Sequence, residues 1–201
     1  MAVTKYTIKR TGKISHNSAN QPSTIKSCYE WVGELMAAVI AVVLVFTFLL
    51  RVVTVSGLSM YPNYHDGDRL VISSSYGGAL EQGDVVVLVN VLPEPIIKRV
   101  IATENQEVDI DFDTGTVYID GEALDETQFG LQNGITQDTA TSLEKTQFPV
   151  TVPPGHIFVL GDNRPVSEDS RYVDVGMVDV KNVLGKAEFR LFPFDRFGLV
   201  E

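Results

Sequence analysis

The sixteen residues from Leu35 to Leu50, LMAAVIAVVLVFTFLL, pass without a charge, and they restrict the fold more than anything else in the chain. An amphipathic surface helix needs a polar stripe, which this run lacks. A hydrocarbon core about 30 Å thick needs roughly 20 apolar residues in a helix, more than the run supplies alone. Trp31 and Val32 extend it at one end, and Val52, Val53, Thr54 and Val55 follow Arg51 at the other. An arginine near a helix end can carry its charge to the interface along its apolar stem. The expectation is a transmembrane anchor over residues 31–54, spanning about Val32 to Val53, with Tyr29 and Trp31 as interfacial anchors. Two other readings compete. A buried core helix would show a polar stripe, and a cleaved leader would need a small-x-small site that Val55-Ser56-Gly57 matches poorly.

Charge orients the anchor. Five basic and two acidic residues lie up to Leu50, against 11 and 24 beyond it. Basic residues before a span favour a cytoplasmic N-terminus, so residues 1–30 read as a basic cytoplasmic tail and 55–201 as an extracytoplasmic body. The acidic body argues against nucleic acid as a partner. Cys28 is the only cysteine, so the body holds no internal disulfide and must stand on core packing.

The body reads as short strands. Arg69–Ser73, Asp84–Val91, Ile96–Ala102, Val108–Asp111, Thr116–Ile119, His156–Leu160 and Val183–Phe192 are rich in β-branched and aromatic residues. Turn signals separate them: Asp66-Gly67-Asp68, Gly77-Gly78, Gln82-Gly83-Asp84, Asp120-Gly121 and Pro153-Pro154-Gly155. Asp120-Gly121 after Val117-Tyr118-Ile119 predicts a hairpin. Residues 122–147, acidic and rich in Thr and Gln, read as an excursion from the sheet. The fold class expected is mainly β, a coiled sheet or partly closed barrel behind one N-terminal helix.

Beyond the anchor stands Ser56-Gly57-Leu58-Ser59-Met60-Tyr61-Pro62, a serine held between glycine and proline. A serine hydroxyl is a weak nucleophile until a base takes its proton. His16 lies on the tail, His65 in a turn and His156 at a strand start, and nothing places them with an aspartate as a triad. Lys98 has a better setting. Period-2 alternation puts Ile96, Lys98, Val100 and Ala102 on one strand face, so its amine has apolar neighbours, although a surface lysine with a buried stem is the commoner case. To act as a base near neutral pH its pKa must fall well below the usual value of about 10.4, which burial achieves. Arginine could not replace it, because it does not deprotonate. Arg99, on the opposite face, wants a carboxylate. Gly161-Asp162-Asn163-Arg164-Pro165-Val166-Ser167-Glu168-Asp169-Ser170-Arg171 offers Asp162 for Arg99, Asp169 for Arg171 and Ser167 to orient the lysine amine. The plain alternative is a polar loop with an Asx turn.

In order and spacing these segments resemble the bacterial type I signal peptidases, in the compact Gram-positive form. The resemblance rests on Ser59-Met60-Tyr61-Pro62 with His65-Asp66-Gly67-Asp68, then Gly83-Asp84-Val85-Val86-Val87, Lys98-Arg99-Val100-Ile101, the loop from Gly161 to Arg171, and Phe192-Pro193-Phe194. It implies a membrane-anchored serine endopeptidase with Ser59 as nucleophile and Lys98 as general base. Met60, Pro62, Arg99, Asp162, Ser167, Asp169 and Arg171 would support the site, with Ser167 hydrogen-bonding near the lysine. The implied partners are secretory preproteins with small-x-small cleavage sites, bound as an added strand, together with the lipid bilayer and the secretion translocon. No metal or cofactor is implied. Two positions depart from the pattern. Asn63 stands where threonine is usual, and Gly57 stands where some Gram-negative relatives carry an oxyanion-supporting serine, which leaves the second oxyanion donor unassigned. A self-cleaving Ser/Lys repressor would lack the anchor, and a non-catalytic assembly factor would be expected to lack Ser59 or Lys98.

Overall fold

The structure, a computed structural model, describes residues 24–48, 50–73, 80–139 and 143–200, without the side chains of 24–28 and 45–50. The expected flexible tail, His16 and the Gly77-Gly78 turn lie outside the described residues. The chain divides into two units, Met1–Val42 and Val43–Glu201.

Helix α1 covers Thr24–Phe48. Its described side chains, 29–44, are all exposed. Among the described residues no helix is long and apolar enough to cross a membrane. The helix ends at Phe48, short of the expected reach to Val53. Leu50–Thr54 is instead strand β1, which pairs antiparallel with β2 (Arg69–Ser73), setting Val53 opposite Leu70 and Val52 opposite Val71. Val52, Val53 and Thr54 are β-branched and suit a strand, and here the ladder with β2 decides between the two readings.

The remaining strands are β3 (Val85–Leu88), β4 (Ile96–Ala102), β5 (Glu107–Asp111), β6 (Thr116–Ile119), β7 (Glu122–Ala123), β8 (Val150–Thr151), β9 (His156–Leu160), β10 (Val178–Asp179), β11 (Val183–Phe192) and β12 (Gly198–Leu199). The larger sheet runs β1-β2-β11-β3-β4-β9-β10, with β12 on β11, and curls as a half-barrel. The smaller runs β7-β6-β5-β8. The expected hairpin is present. Asp120 and Gly121, both at positive φ, turn β6 into β7, as a two-residue primed turn requires.

The large sheet is covered on both faces at its centre, which explains the unbroken apolar run of β3. Val85 and Val87 point into a cluster with Val55, Met60, Tyr64, Leu70 and Ile72, whereas Val86 and Leu88 join Val100, Ile157 and Val159 on the other side. A third cluster packs Ile101, Phe158 and Leu160 against Val108, Ile110 and Val117 of the small sheet. Ala102 departs from expectation. A register shift between β4 and β9 falls between Val100 and Ala102, so Ala102 joins the third cluster instead of sharing Val100's face. An extra residue in one strand re-aims every side chain beyond it.

The excursion expected over 122–147 begins later, because Glu122–Ala123 still pair as β7, and its described residues 124–139 and 143–147 fold back on the body. A 3-10 turn over Glu126–Phe129 is capped by Asp125 and ends at Gly130, and Lys145 bridges to Tyr172.

Candidate active site

Ser59 sits in the loop that joins β1 to β2. The loop closes on itself through Val55 N–H to Asp68 O (2.8 Å) and Gly67 N–H to Val55 O (3.0 Å). Buried Met60 and Tyr64 plug it into the core beside Leu70 and Val85. Gly57 takes a positive φ of 86° and donates its N–H to Asp66 Oδ1 at 2.9 Å. Pro62 follows Tyr61 on the exposed side of the loop.

Strand β4 brings Lys98 to this serine. Lys98 is only 2% exposed, and its Nζ donates to Ser59 Oγ and to the Ile97 carbonyl, both at 3.1 Å. Its pKa lies below that of an ordinary lysine, chiefly because burial disfavours the ammonium, while the Asp169 and Glu168 carboxylates pull the other way. Ser59 and Lys98 share an open cleft of about 320 Å³ lined by Val53, Thr54 and Ser56 from the first strand and its loop and by Pro95, Ile96 and Ile97 from β4 and its start.

One residue on, Arg99 lies on the face of its cross-strand partner Val85 and is fully buried. Its Nε and Nη2 meet Asp162 Oδ1 and Oδ2 at 2.9 and 2.8 Å, and Nη1 donates to Gly83 O at 2.9 Å. The Phe129 ring lies 5.0 Å from the guanidinium. Burial works against the Arg99 charge, but the hydrogen bonds and charge of Asp162 outweigh it and raise the pKa. Beneath the pair, burial pushes the Tyr64 phenol up to about 12.

The loop from Gly161 to Arg171 is built on a second bidentate pair. Asp169 accepts from Arg171 Nε (2.8 Å) and Nη2 (3.0 Å) and from Gly161 N–H (3.0 Å). Arg171 Nη2 also donates to the Arg164 and Ser167 carbonyls. The loop grips the serine loop directly, with Asn163 N–H on Ser59 O (2.9 Å) and Asn163 Nδ2 on Leu58 O (3.0 Å).

The sequence-predicted pairs Arg99–Asp162 and Asp169–Arg171 therefore form, and Ser59 meets Lys98. The expected bond from Ser167 to the lysine does not. Ser167 Oγ is buried without a hydrogen-bond partner among the described residues, packed where a Cβ on Gly161 would meet it. Lys98 is satisfied instead by Ser59 and its neighbour's carbonyl. No histidine triad assembles among the described residues: His65 takes a hydrogen from Arg196, and His156 faces the Pro154 carbonyl. Asn63 ties the serine loop to two other segments through Nδ2, to Asp162 Oδ2 and to Phe129 O, each at 2.8 Å.

Sequence reasoning missed Glu126 and Arg164, which pair in the interior. Charge counting could not have found them, because the loop holds three carboxylates, Asp162, Glu168 and Asp169, for Arg99, Arg164 and Arg171, and only the fold sends Arg164 to Glu126.

A desolvated amine against a serine hydroxyl, at the side of an open cleft on a β-sheet, is the arrangement of a hydrolytic enzyme. A family model described as signal peptidase, peptidase S26, matches residues 28–192. Signal peptidase I of Bacillus licheniformis is 35% identical over 84% of this chain and 91% of its own. Signal peptidase IB of Staphylococcus aureus is 31% identical over 86% and 93%. A solved signal peptidase I from Enterococcus faecalis V583 is 34% identical over 54% of this chain and 97% of its own, with a TM-score of 0.42. The chain belongs to the signal peptidase, peptidase S26 family. It is accordingly a peptidase, with the signal peptidase I activity of removing signal peptides.

Proposed function

We propose that cleavage proceeds by acyl transfer, with Ser59 as nucleophile and Lys98 as general base. The observation that carries this reading is the 3.1 Å contact between the Nζ of buried Lys98 and the Oγ of Ser59, which opens onto the cleft. Neutral Lys98 takes the Ser59 proton as the oxygen attacks the scissile carbonyl. The lysinium then protonates the leaving amine, and a water deprotonated by Lys98 releases the acyl group. The Ile97 carbonyl accepts one of the amine's hydrogens at 3.1 Å, which fixes the direction of the lone pair. Asp162, Asp169, Arg99 and Arg171 keep the two loops and β4 in register. Met60 plugs the loop, and Pro62 restricts it after the serine.

The preprotein would lie extended in the cleft between Val53, Thr54 and Ser56 and Pro95–Ile97, with backbone bonds giving affinity. A volume of about 320 Å³ shared among several side chains favours small residues near the cut. α1 would be the membrane anchor, N-terminus inside and body outside. Its described side chains are unpacked, and the sequence stays apolar through Leu50. The exposed Phe192, Phe194, Phe197 and Leu199, with Arg69 stacked on Phe192, suit contact with lipid headgroups.

The deciding experiment is cleavage of a purified preprotein in detergent by the wild-type chain and by Ser59→Ala, with the new N-terminus sequenced. Cleavage after a small-x-small site by wild type alone is the expected result. Equal cleavage by Ser59→Ala would remove Ser59 from the mechanism, and inertness of a folded wild type toward several preproteins would favour an assembly role.

A further inference from the structure

The Glu126–Phe129 turn lies far from the serine in sequence yet touches each element of the site. Phe129 stacks on Arg99 and accepts from Asn63. Glu126 reaches the other loop. Its carboxylate is 1% exposed and pairs with Arg164, also 1% exposed, with Nη1 donating to Oε1 at 3.2 Å. Arg164 also donates from Nη1 to the buried Thr136 hydroxyl and from Nε to Gly161 O at 2.9 Å. The excursion thus contributes both a carboxylate and a hydroxyl to one guanidinium. The turn itself is fixed: Asn133 Oδ1 accepts the Glu126 N–H at 2.7 Å, and Asp125 caps Thr127.

Arg164 directly follows Asn163, the residue whose N–H and side chain hold the Ser59 and Leu58 carbonyls. A carboxylate in the excursion therefore sets where Asn163 stands, and Asn163 sets the backbone of the serine. We propose that Glu126 is a positioning residue for Ser59, acting through Arg164 and Asn163, and that the excursion is a strut of the active site. The inference rests on the Ser59 reading above. Burial pushes the Glu126 carboxyl up and the Arg164 guanidinium down, and each opposes the other's shift.

The test uses the full chain in detergent. Glu126→Ala, the isosteric Glu126→Gln, Glu126→Asp, Asn163→Ala and Glu126→Ala/Asn163→Ala are compared for kcat, KM and the single-turnover rate constant of preprotein cleavage. Small misplacements of a nucleophile cost up to ~10²-fold, so Glu126→Ala should lose at least ~10-fold in kcat with KM within about twofold. Glu126→Gln should lose less, and Glu126→Asp, which keeps the charge, should recover part of the rate. The Glu126→Ala/Asn163→Ala loss should fall short of the product of the two single losses, because one grip is removed twice. A merely structural role would lower the fraction of active enzyme and leave the single-turnover rate constant unchanged. That result, or a fully multiplicative double variant, overturns the proposal. If Glu126→Ala does not fold, Glu126→Gln decides: an unchanged rate constant refutes, and a lowered one supports. Failure of the Ser59 reading would appear separately, as activity retained by Ser59→Ala.

Discussion

Asp162→Ala should be among the most destabilising single substitutions in the body, and the bond geometry gives the size. Asp162 accepts from Arg99 Nε and Nη2 and from Asn63 Nδ2, at 2.9, 2.8 and 2.8 Å, with its carboxylate buried. Without it, Arg99 keeps its charge, since arginine does not deprotonate, and falls back on neutral partners, the Gly83 carbonyl, the Tyr64 phenol and the Phe129 face. Breaking a buried pair from one side costs about 3–5 kcal/mol. At 1.4 kcal/mol per tenfold, that is a loss of roughly 10²- to 10³-fold or more in the folded-to-unfolded ratio. The total stability of a domain is only about 5–15 kcal/mol. Replacing both partners behaves differently, because no charge is left buried. Arg99→Met with Asp162→Leu should recover most of the loss. The assay is urea unfolding of the full chain in mild detergent, followed by tyrosine near-UV circular dichroism, for wild type, Asp162→Ala, Asp162→Leu, Arg99→Met and the Arg99→Met/Asp162→Leu double. With an m-value of about 2 kcal/mol/M, the midpoint of Asp162→Ala should fall by ~1.5–2.5 M. A loss under about 1 kcal/mol would refute the reasoning, because the pair would then behave as a solvated surface bridge. Additivity across the cycle, within the ~0.5 kcal/mol expected of independent sites, would refute it equally.

Three further outcomes follow from the same geometry. Cleavage by wild type should rise with pH as the Lys98 ammonium deprotonates, along a limb centred below the usual lysine value, and Lys98→Arg should lose at least ~10²-fold; a flat profile from pH 6 to 9 would remove Lys98 from the mechanism. Lys98→Met should be inactive yet more stable than wild type at neutral pH, by about 1 kcal/mol or more. The sign follows from linkage: the folded pKa lies below the unfolded one, so between the two the unfolded chain binds more protons and wild-type stability climbs with pH, a slope that unfolding of Lys98→Met should lack. Gly161→Ala would place a Cβ 2.6 Å from the Ser59 carbonyl and 2.5 Å from Ser167 Cβ, so thermal unfolding should report a loss of about 1–3 kcal/mol, and kcat should drop more than this accounts for in folded protein.

What could be read from the sequence was whatever a residue demands of its near neighbours. β4 has the bounds expected of it, Ile96–Ala102, because a run of β-branched residues between Pro95 and Thr103 has few alternatives. Arg99 on the face opposite Lys98 required a carboxylate, and the loop after β9, dense with short hydrogen-bonding side chains, offered one. Val52 and Val53 failed for the converse reason. Their apolar character suits a membrane helix and a strand alike, and only the ladder to Leu70 and Val71 decides. Ala102 failed because a bulge is set by the register with β9, which no local pattern encodes. Glu126 is the extreme case: it lies 38 residues from Arg164, in a stretch whose composition reads as loop. Arg164 could by sequence take Glu168 of its own loop, and only the fold, which buries it beside Thr136 and Glu126, chooses between the two carboxylates.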